Sequence, residues 1–367
     1  MIYLDYGATS FRKPRAVHRA VEQAMRCCAN PGRGGYPAAM AAAEAVFDCR
    51  EEAGKLFSCE ASQVVLTTSC THGLNLAIRS VVKPGGRVVV SGFEHNAVVR
   101  PLHALGAQVR IAGRRLFDWD DTLQAFEKAL DGADAAVFTH VSNVFGYILP
   151  VGEIGAMCRK KGVPFILDAA QSAGALPVNF RELGAEFVAM PGHKGLLGPQ
   201  GTGLLLCRQR GTPLIYGGTG SQSIPREMPE QLPERLEAGT LNVPGYAGLT
   251  QGLRCLNRVG TEKIFAREQA LAETCAHGLI RLGFRVFAGS HQAATVSFLP
   301  ESDCEKAADF LARQGFGVRA GLHCAPVAHE SAGTLETGTV RVSVGFGTTR
   351  GEIQAFLRTA AKLRGIR

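Results

Sequence analysis

Lys194 sits in a glycine-bounded turn, PGHKG (191–195), just after a short apolar run, and Asp168 in ILDAAQSAG closes the run before it. Alone, Lys194 reads as an ordinary surface lysine. Paired with an acid at the preceding strand end, it fits a pyridoxal phosphate enzyme. The amine forms a Schiff base, and the acid keeps a pyridine nitrogen protonated so that the ring accepts electrons. Glycine beside the lysine lets backbone approach a cofactor closely. Other apolar runs also end in polar residues. Ser69-Cys70-Thr71-His72-Gly73 leads into the helical pattern GLNLAIRSVV, where free N–H groups suit a phosphate, although a plain serine cap explains it as well. Glu94-His95-Asn96 offers a ring to stack on a cofactor, and Ser142-Asn143 adds an amide.

A second chemical feature lies near the C-terminus, in RAGLHCAPVAHE (319–330). Cys324 is one of 11 cysteines, at odd count and without a CxxC pair, which makes a poor disulfide framework and a poor zinc site. A buried small apolar residue is the plain reading for a lone cysteine, and it serves for the other ten. A metal set of His323, Cys324 and His329 lacks a second cysteine and regular spacing, so no metal is expected. Cys324 lies in a glycine-flanked loop before a proline, with Arg341 on a nearby strand pattern to anchor a substrate, and position favours a nucleophile.

These residues need a scaffold that brings strand ends together. Seven apolar, β-branched runs occur at 64–68, 87–92, 108–112, 135–142, 164–170, 186–192 and 202–207, separated by helical patterns such as AAMAAAEAVFDCREEAGKLF. Such runs predict an α/β fold with a mainly parallel seven-stranded sheet covered on both faces, whose ligands bind beyond the carboxyl ends of the strands. After a loop-rich stretch at 211–245, a smaller α+β region is expected: a long helix pattern near 245–283, a strand near 293–299, a helix near 303–314, the strand TVRVSVG (339–345) and a final helix from about 350. The expected division is a large cofactor-binding domain, 15–245, and a small domain made of 1–14 and 246–367, which carries the Cys324 loop.

Bulk properties narrow the function classes. At 367 residues with 46% hydrophobic and 20% charged residues, the chain is an ordinary folded protein of about two domains. The net charge of +8 is scattered, without a basic face interleaved with aromatics, so nucleic acid is not an expected partner. No apolar run is long enough for a membrane span, and MIYLDYGATS has no secretory pattern, so a reduced, soluble, cytoplasmic protein is expected.

The ordered motifs YLDYGATS, TTSCTHGLNLA, EHNAV, HVSNVFG, ILDAAQSAG, GHKGLLGPQGTG, EAGTLN, GLHCAP and TVRVS resemble the class V aminotransferase family of fold type I pyridoxal phosphate enzymes. Within it they resemble the cysteine desulfurase and selenocysteine lyase group, nearly end to end. The resemblance implies that Lys194 holds pyridoxal 5'-phosphate as a Schiff base, that Asp168 pairs with the pyridine nitrogen, and that Gln171 bonds the phenolic oxygen. His95 would stack on the ring. Cys70, Thr71 and His193 would hold the phosphate, with Thr240 reaching it from the partner subunit of a homodimer. Asn143 and Arg341 would hold the substrate carboxylate, a role that the planar guanidinium suits. Lys194 would move the α-proton, and Cys324 would take sulfur from L-cysteine as a persulfide for an acceptor protein, leaving L-alanine.

Two positions depart from the family pattern. Pro191 stands where many relatives have a phosphate-binding serine, and Leu322 stands where well-known relatives have a histidine. The short GLHCAP loop resembles the group whose nucleophile is held in a fixed place. The rival readings are a selenocysteine lyase acting on L-selenocysteine, an aminotransferase or C–C lyase of the same fold, and a non-catalytic sulfur carrier.

Overall fold

The structure is a computed structural model that describes residues 1–365 apart from Arg33 and Gln222. The seven expected runs all form strands: β2 (Val64–Thr67), β3 (Arg87–Ser91), β4 (Gln108–Ala112), β5 (Ala135–Thr139), β6 (Phe165–Asp168), β7 (Phe187–Pro191) and β8 (Gly203–Cys207), preceded by a short β1 (Ile2–Tyr3). They join one sheet in the order β2-β8-β7-β6-β5-β3-β4, in which only β8 runs antiparallel to its neighbours. Strands β2, β5, β6, β7 and β8 are buried at every residue, as expected of a sheet with both faces covered.

The helices follow from their patterns. Helix Pro37–Phe57 buries Ala39, Ala42, Val46, Cys49, Ala53 and Phe57, one stripe at three- and four-residue spacing, and stops at Ser58 in the left-handed region. Helix Cys70–Val81 starts where the Ser69 hydroxyl accepts a bond from the His72 N–H. On one face of the sheet, Leu66, Phe138, Leu167, Met190 and Leu204 share a core with Phe126, Phe165 and Leu253.

A second, antiparallel sheet takes the order β12-β13-β10-β9, from β9 (Arg285–Phe287), β10 (Thr295–Leu299), β12 (Arg319–Gly321) and β13 (Thr339–Ser343). It packs with helices Thr261–Arg281, Cys304–Arg313 and Arg350–Ala360 around Val296, Phe298, Val340, Ile353 and Phe356. The N-terminal segment joins this unit: β1 pairs in parallel with β11 (Phe316–Gly317), Leu4 enters its core, and Asp5 bridges to Ser343. The long helix pattern near 245–283 is two helices, Val243–Val259 and Thr261–Arg281, because Gly260 takes φ +87 between them. A left-handed residue cannot continue a helix, and glycine adopts it without steric cost. Among the described residues, no helix is long and apolar enough to cross a membrane.

Candidate active site

Five strand or helix ends meet at a cavity of about 110 Å³, whose walls include Cys70, Thr71, His95, Asn143, Asp168, Gln171, His193 and Lys194. Eight of the eleven residues singled out from sequence are thereby gathered in one place. Pro191 shares the wall, and its backbone pairs with Gly203 on β8.

Asp168 ends β6 with 2% exposure, and its Oδ1 accepts bonds from the Ala170 N–H at 2.9 Å and the Cys70 thiol at 3.5 Å. Burial raises its carboxyl above the usual range, while the Lys194 charge pulls the other way. Burial likewise lowers the Lys194 ammonium and pushes the Cys70 thiol well up, so Cys70 is a neutral hydrogen-bond donor here. His95 caps helix Asn96–Ala104, its Nδ1 accepting from the Ala97 N–H at 3.0 Å. Burial, with Lys194 next, pushes it down to about 4. A neutral ring that accepts at Nδ1 carries its proton on Nε2. His193 is pushed down to about 4 by burial, with its Nδ1 against the Thr9 hydroxyl at 3.0 Å.

The other three residues lie elsewhere. Cys324 is exposed and does not line the cavity, but its loop is fastened to the cavity wall. The Cys324 carbonyl accepts from the Asn96 N–H at 2.8 Å, next to His95, and the His323 carbonyl accepts from Asn143 Nδ2 at 2.8 Å. Both His323 and Cys324 are left-handed, at φ +50 and +57. Arg341 is 1% exposed and tied inward: Nη2 donates to Asp5 Oδ1 at 2.6 Å and Nη1 to the Asn143 carbonyl at 2.9 Å. Thr240 is exposed on a separate groove of about 890 Å³, together with Thr219, Ser221, Arg50 and Glu237.

One residue escaped the sequence reading. Arg319 on β12 is the cross-strand partner of Arg341 on β13, and it forms no ion pair among the described residues. Its charge lowers the proton affinity of Lys194, His95, His323 and Arg341. Its only sequence signal is an arginine five residues before Cys324, which gains meaning once the strand register is known.

The donor set fits pyridoxal phosphate. An acid and an amine face one cavity, and the Ser69 cap leaves the N–H groups of Cys70 and Thr71 without an intrahelical acceptor. The buried Oδ1 of Asn143 also has no hydrogen-bond partner among the described residues, as expected of a wall built around a polar ligand. Among the described residues, no cluster of His, Cys, Asp or Glu could hold a metal ion.

A mostly parallel sheet with a lysine and a buried acid at adjoining strand ends defines a fold type I pyridoxal phosphate enzyme. More particularly, the chain belongs to the class V aminotransferase family, whose model, "Aminotransferase class-V", matches residues 2–356. A probable cysteine desulfurase of Methanothermobacter thermautotrophicus is 30% identical, covering 100% of this chain and 95% of that protein. One of Pyrococcus abyssi is 31% identical over 99% of this chain and 94% of its own length. The apo structure of a cysteine desulfurase from Thermococcus onnurineus is similar with a TM-score of 0.91 at 29% identity, covering 99% of this chain and 94% of that one.

Proposed function

We propose that the chain is a pyridoxal phosphate-dependent cysteine desulfurase, which moves sulfur from L-cysteine onto Cys324 and releases L-alanine. The observation that carries this reading is the Cys324 loop. A thiol is left exposed on a backbone bonded to Asn96 and Asn143, beside a cavity that holds Lys194 and Asp168.

When bound, pyridoxal phosphate supplies an electron-accepting ring that stabilises negative charge at the substrate α-carbon. Asp168 would pair with the ring nitrogen, and His95, a neutral imidazole with its proton on Nε2, would stack on the ring. Thr71 and His193, with the Cys70 N–H, would hold the phosphate, and Gln171, whose Nε2 donates to the Gly7 carbonyl at 3.0 Å, would bond the phenolic oxygen. Burial favours the neutral amine of Lys194, which takes the α-proton and returns it. Asn143 and the Arg319–Arg341 pair hold the substrate carboxylate. Cys324, as thiolate, attacks the substrate sulfur: the new S–S bond forms as the carbon–sulfur bond breaks, its electron pair stays on carbon, and protonation there gives alanine.

The persulfide passes to an acceptor protein. Thr240 is exposed on a groove apart from its own chain's cavity, which suits a residue that serves a second copy in a homodimer. All eleven cysteines are free, which suits a reducing cytoplasm.

The test compares wild type with Cys324→Ala for alanine and persulfide formation from L-cysteine and, side by side, L-selenocysteine. The expected result is both products from the wild type on L-cysteine and neither from the variant, with cofactor absorbance retained. Equal rates in the two proteins on L-cysteine would defeat the nucleophile reading. Turnover of L-selenocysteine alone would move the assignment to a selenocysteine lyase.

A further inference from the structure

A second cavity, of about 60 Å³, adjoins the first, and Val141, Ala170, Gln171 and Lys194 line both. Much of its wall is apolar, including Leu197, Phe265 and Ala293. One acid interrupts that wall. Glu268, on helix Thr261–Arg281, is 7% exposed, lines the cavity, and has no hydrogen bond or ion pair among the described residues. Its neighbour Arg267 points its guanidinium elsewhere, at the Phe346 and Thr348 carbonyls at 3.1 and 2.8 Å. A buried carboxyl without a protein partner is costly unless something else satisfies it. The cavity has room for water, and Glu268, Gln171, Ser10 and Lys194 supply the several polar partners that a buried water requires.

We infer that Glu268 holds water in this cavity and through it exchanges a proton with Lys194, as a positioning residue that sets the protonation of the lysine. The inference rests on the pyridoxal phosphate reading above. The step moves a proton only: one leaves the Glu268 carboxyl for a water as another passes from water to Lys194 Nζ, and no electrons change hands.

The surrounding charges define its pH dependence. Around Glu268 stand Arg267 on its own helix, Tyr6 from the N-terminal segment, and Lys194 across the cavity. Arg12 and Glu352 act on Tyr6, while Cys70, Asp168, Arg319 and Arg341 act on Lys194, which itself bears on His95 and His193. Burial pushes the Glu268 carboxyl up to about 8, so it is neutral at pH 7 and gains charge above pH 8. That negative charge favours the protonated lysine. A glutamine cannot supply it.

The test is a pH titration of the visible absorbance of bound pyridoxal phosphate in the resting holoenzyme, for wild type, Glu268→Gln and the cavity-filling Ala293→Leu. Cofactor content and far-ultraviolet dichroism serve as controls. The expected midpoint falls in Glu268→Gln by about half a pH unit or more. It falls in Ala293→Leu as well, because filling the cavity expels the water. An unmoved midpoint in Glu268→Gln overturns the coupling. A shift in Glu268→Gln with none in Ala293→Leu overturns the route through water. If Glu268→Gln does not fold, Ala293→Leu decides alone. A wild type without any cofactor absorbance defeats the pyridoxal phosphate reading itself, an outcome distinct from an unmoved midpoint.

Discussion

Glu94 lies directly before His95 and is fully buried, yet among the described residues no cation pairs with it. Its Oε1 accepts from the Ser91 hydroxyl, the Ser91 N–H at 3.2 Å and the Thr139 N–H at 3.0 Å, whereas Oε2 has no partner among the described residues. Burial pushes the carboxyl up to about 8, with nearby Asp168 adding to the effect and the three donors opposing it. An unfolded glutamate titrates near 4.3, so the folded state holds a proton that the unfolded state has lost at neutral pH. The sign follows. The contribution of Glu94 is fully present below about pH 4, and stability is lost as pH rises toward 8, at about 1.4 kcal/mol per pH unit. Over the whole interval that is about 5 kcal/mol.

Glu94→Gln removes the ionisation and keeps the accepting oxygen. It also places an amide where Oε2 has no partner, and an unmade buried hydrogen bond costs about 1–3 kcal/mol. The variant should therefore be less stable than wild type below about pH 5 and more stable near pH 8. Dividing the two terms puts the crossover at roughly pH 5–6.5. Urea denaturation midpoints of both proteins at half-unit steps from about pH 4 to 8 measure it. Parallel curves would refute the reasoning, because they would mean that Glu94 is ionised in the fold or is solvated.

Two further outcomes follow from the same geometry. Arg50 and Glu237 form a buried bidentate pair, with Nη1 at 2.9 Å and Nη2 at 2.7 Å from the carboxylate. Glu237→Gln leaves the guanidinium uncompensated and should cost about 3–5 kcal/mol in urea at pH 7, while a loss under about 1 kcal/mol would contradict a desolvated pair. Arg319→Gln should raise KM for L-cysteine about tenfold or more with a smaller change in kcat, since a charged hydrogen bond is worth about 1.5–3 kcal/mol; an unchanged KM would remove Arg319 from substrate binding.

Much of the cavity wall was legible in the sequence for a topological reason. In a parallel sheet every strand delivers its last residue to the same edge, so Cys70, His95, Asn143, Asp168 and Lys194 needed only the strand pattern to be placed together. What stayed hidden depends on register and on contacts between distant segments. Arg319 opposite Arg341 is a pairing of β12 with β13, and Asp5 reaches Arg341 across 336 positions of chain. Glu268 reads from sequence as one more charged residue of an amphipathic helix, and only the fold turns it inward. Gly260 is tolerated within a helical pattern, so the break it makes needed the backbone to reveal it.

The Cys324 loop shows what holds an exposed thiol in place. Two successive non-glycine residues in the left-handed region cost about 1–2 kcal/mol each, and a free loop would relax. Four bonds oppose that relaxation: Asn96 to the Cys324 carbonyl, Asn143 to the His323 carbonyl, the Ala325 N–H to Leu322, and His323 Nε2 to the Thr339 carbonyl at 3.1 Å. His323 serves as such an anchor because burial, with Arg341 next, pushes it down to about 2, so it is neutral and keeps one N–H to donate. Leu322, 38% exposed, joins this set only through its carbonyl, and its aliphatic side chain brings no polar group to it. The side chain at position 322 therefore takes no part in the anchoring, and the loop is held by the Asn96 N–H and the Asn143 amide, from the two segments that also present His95 and Asn143 to the cavity.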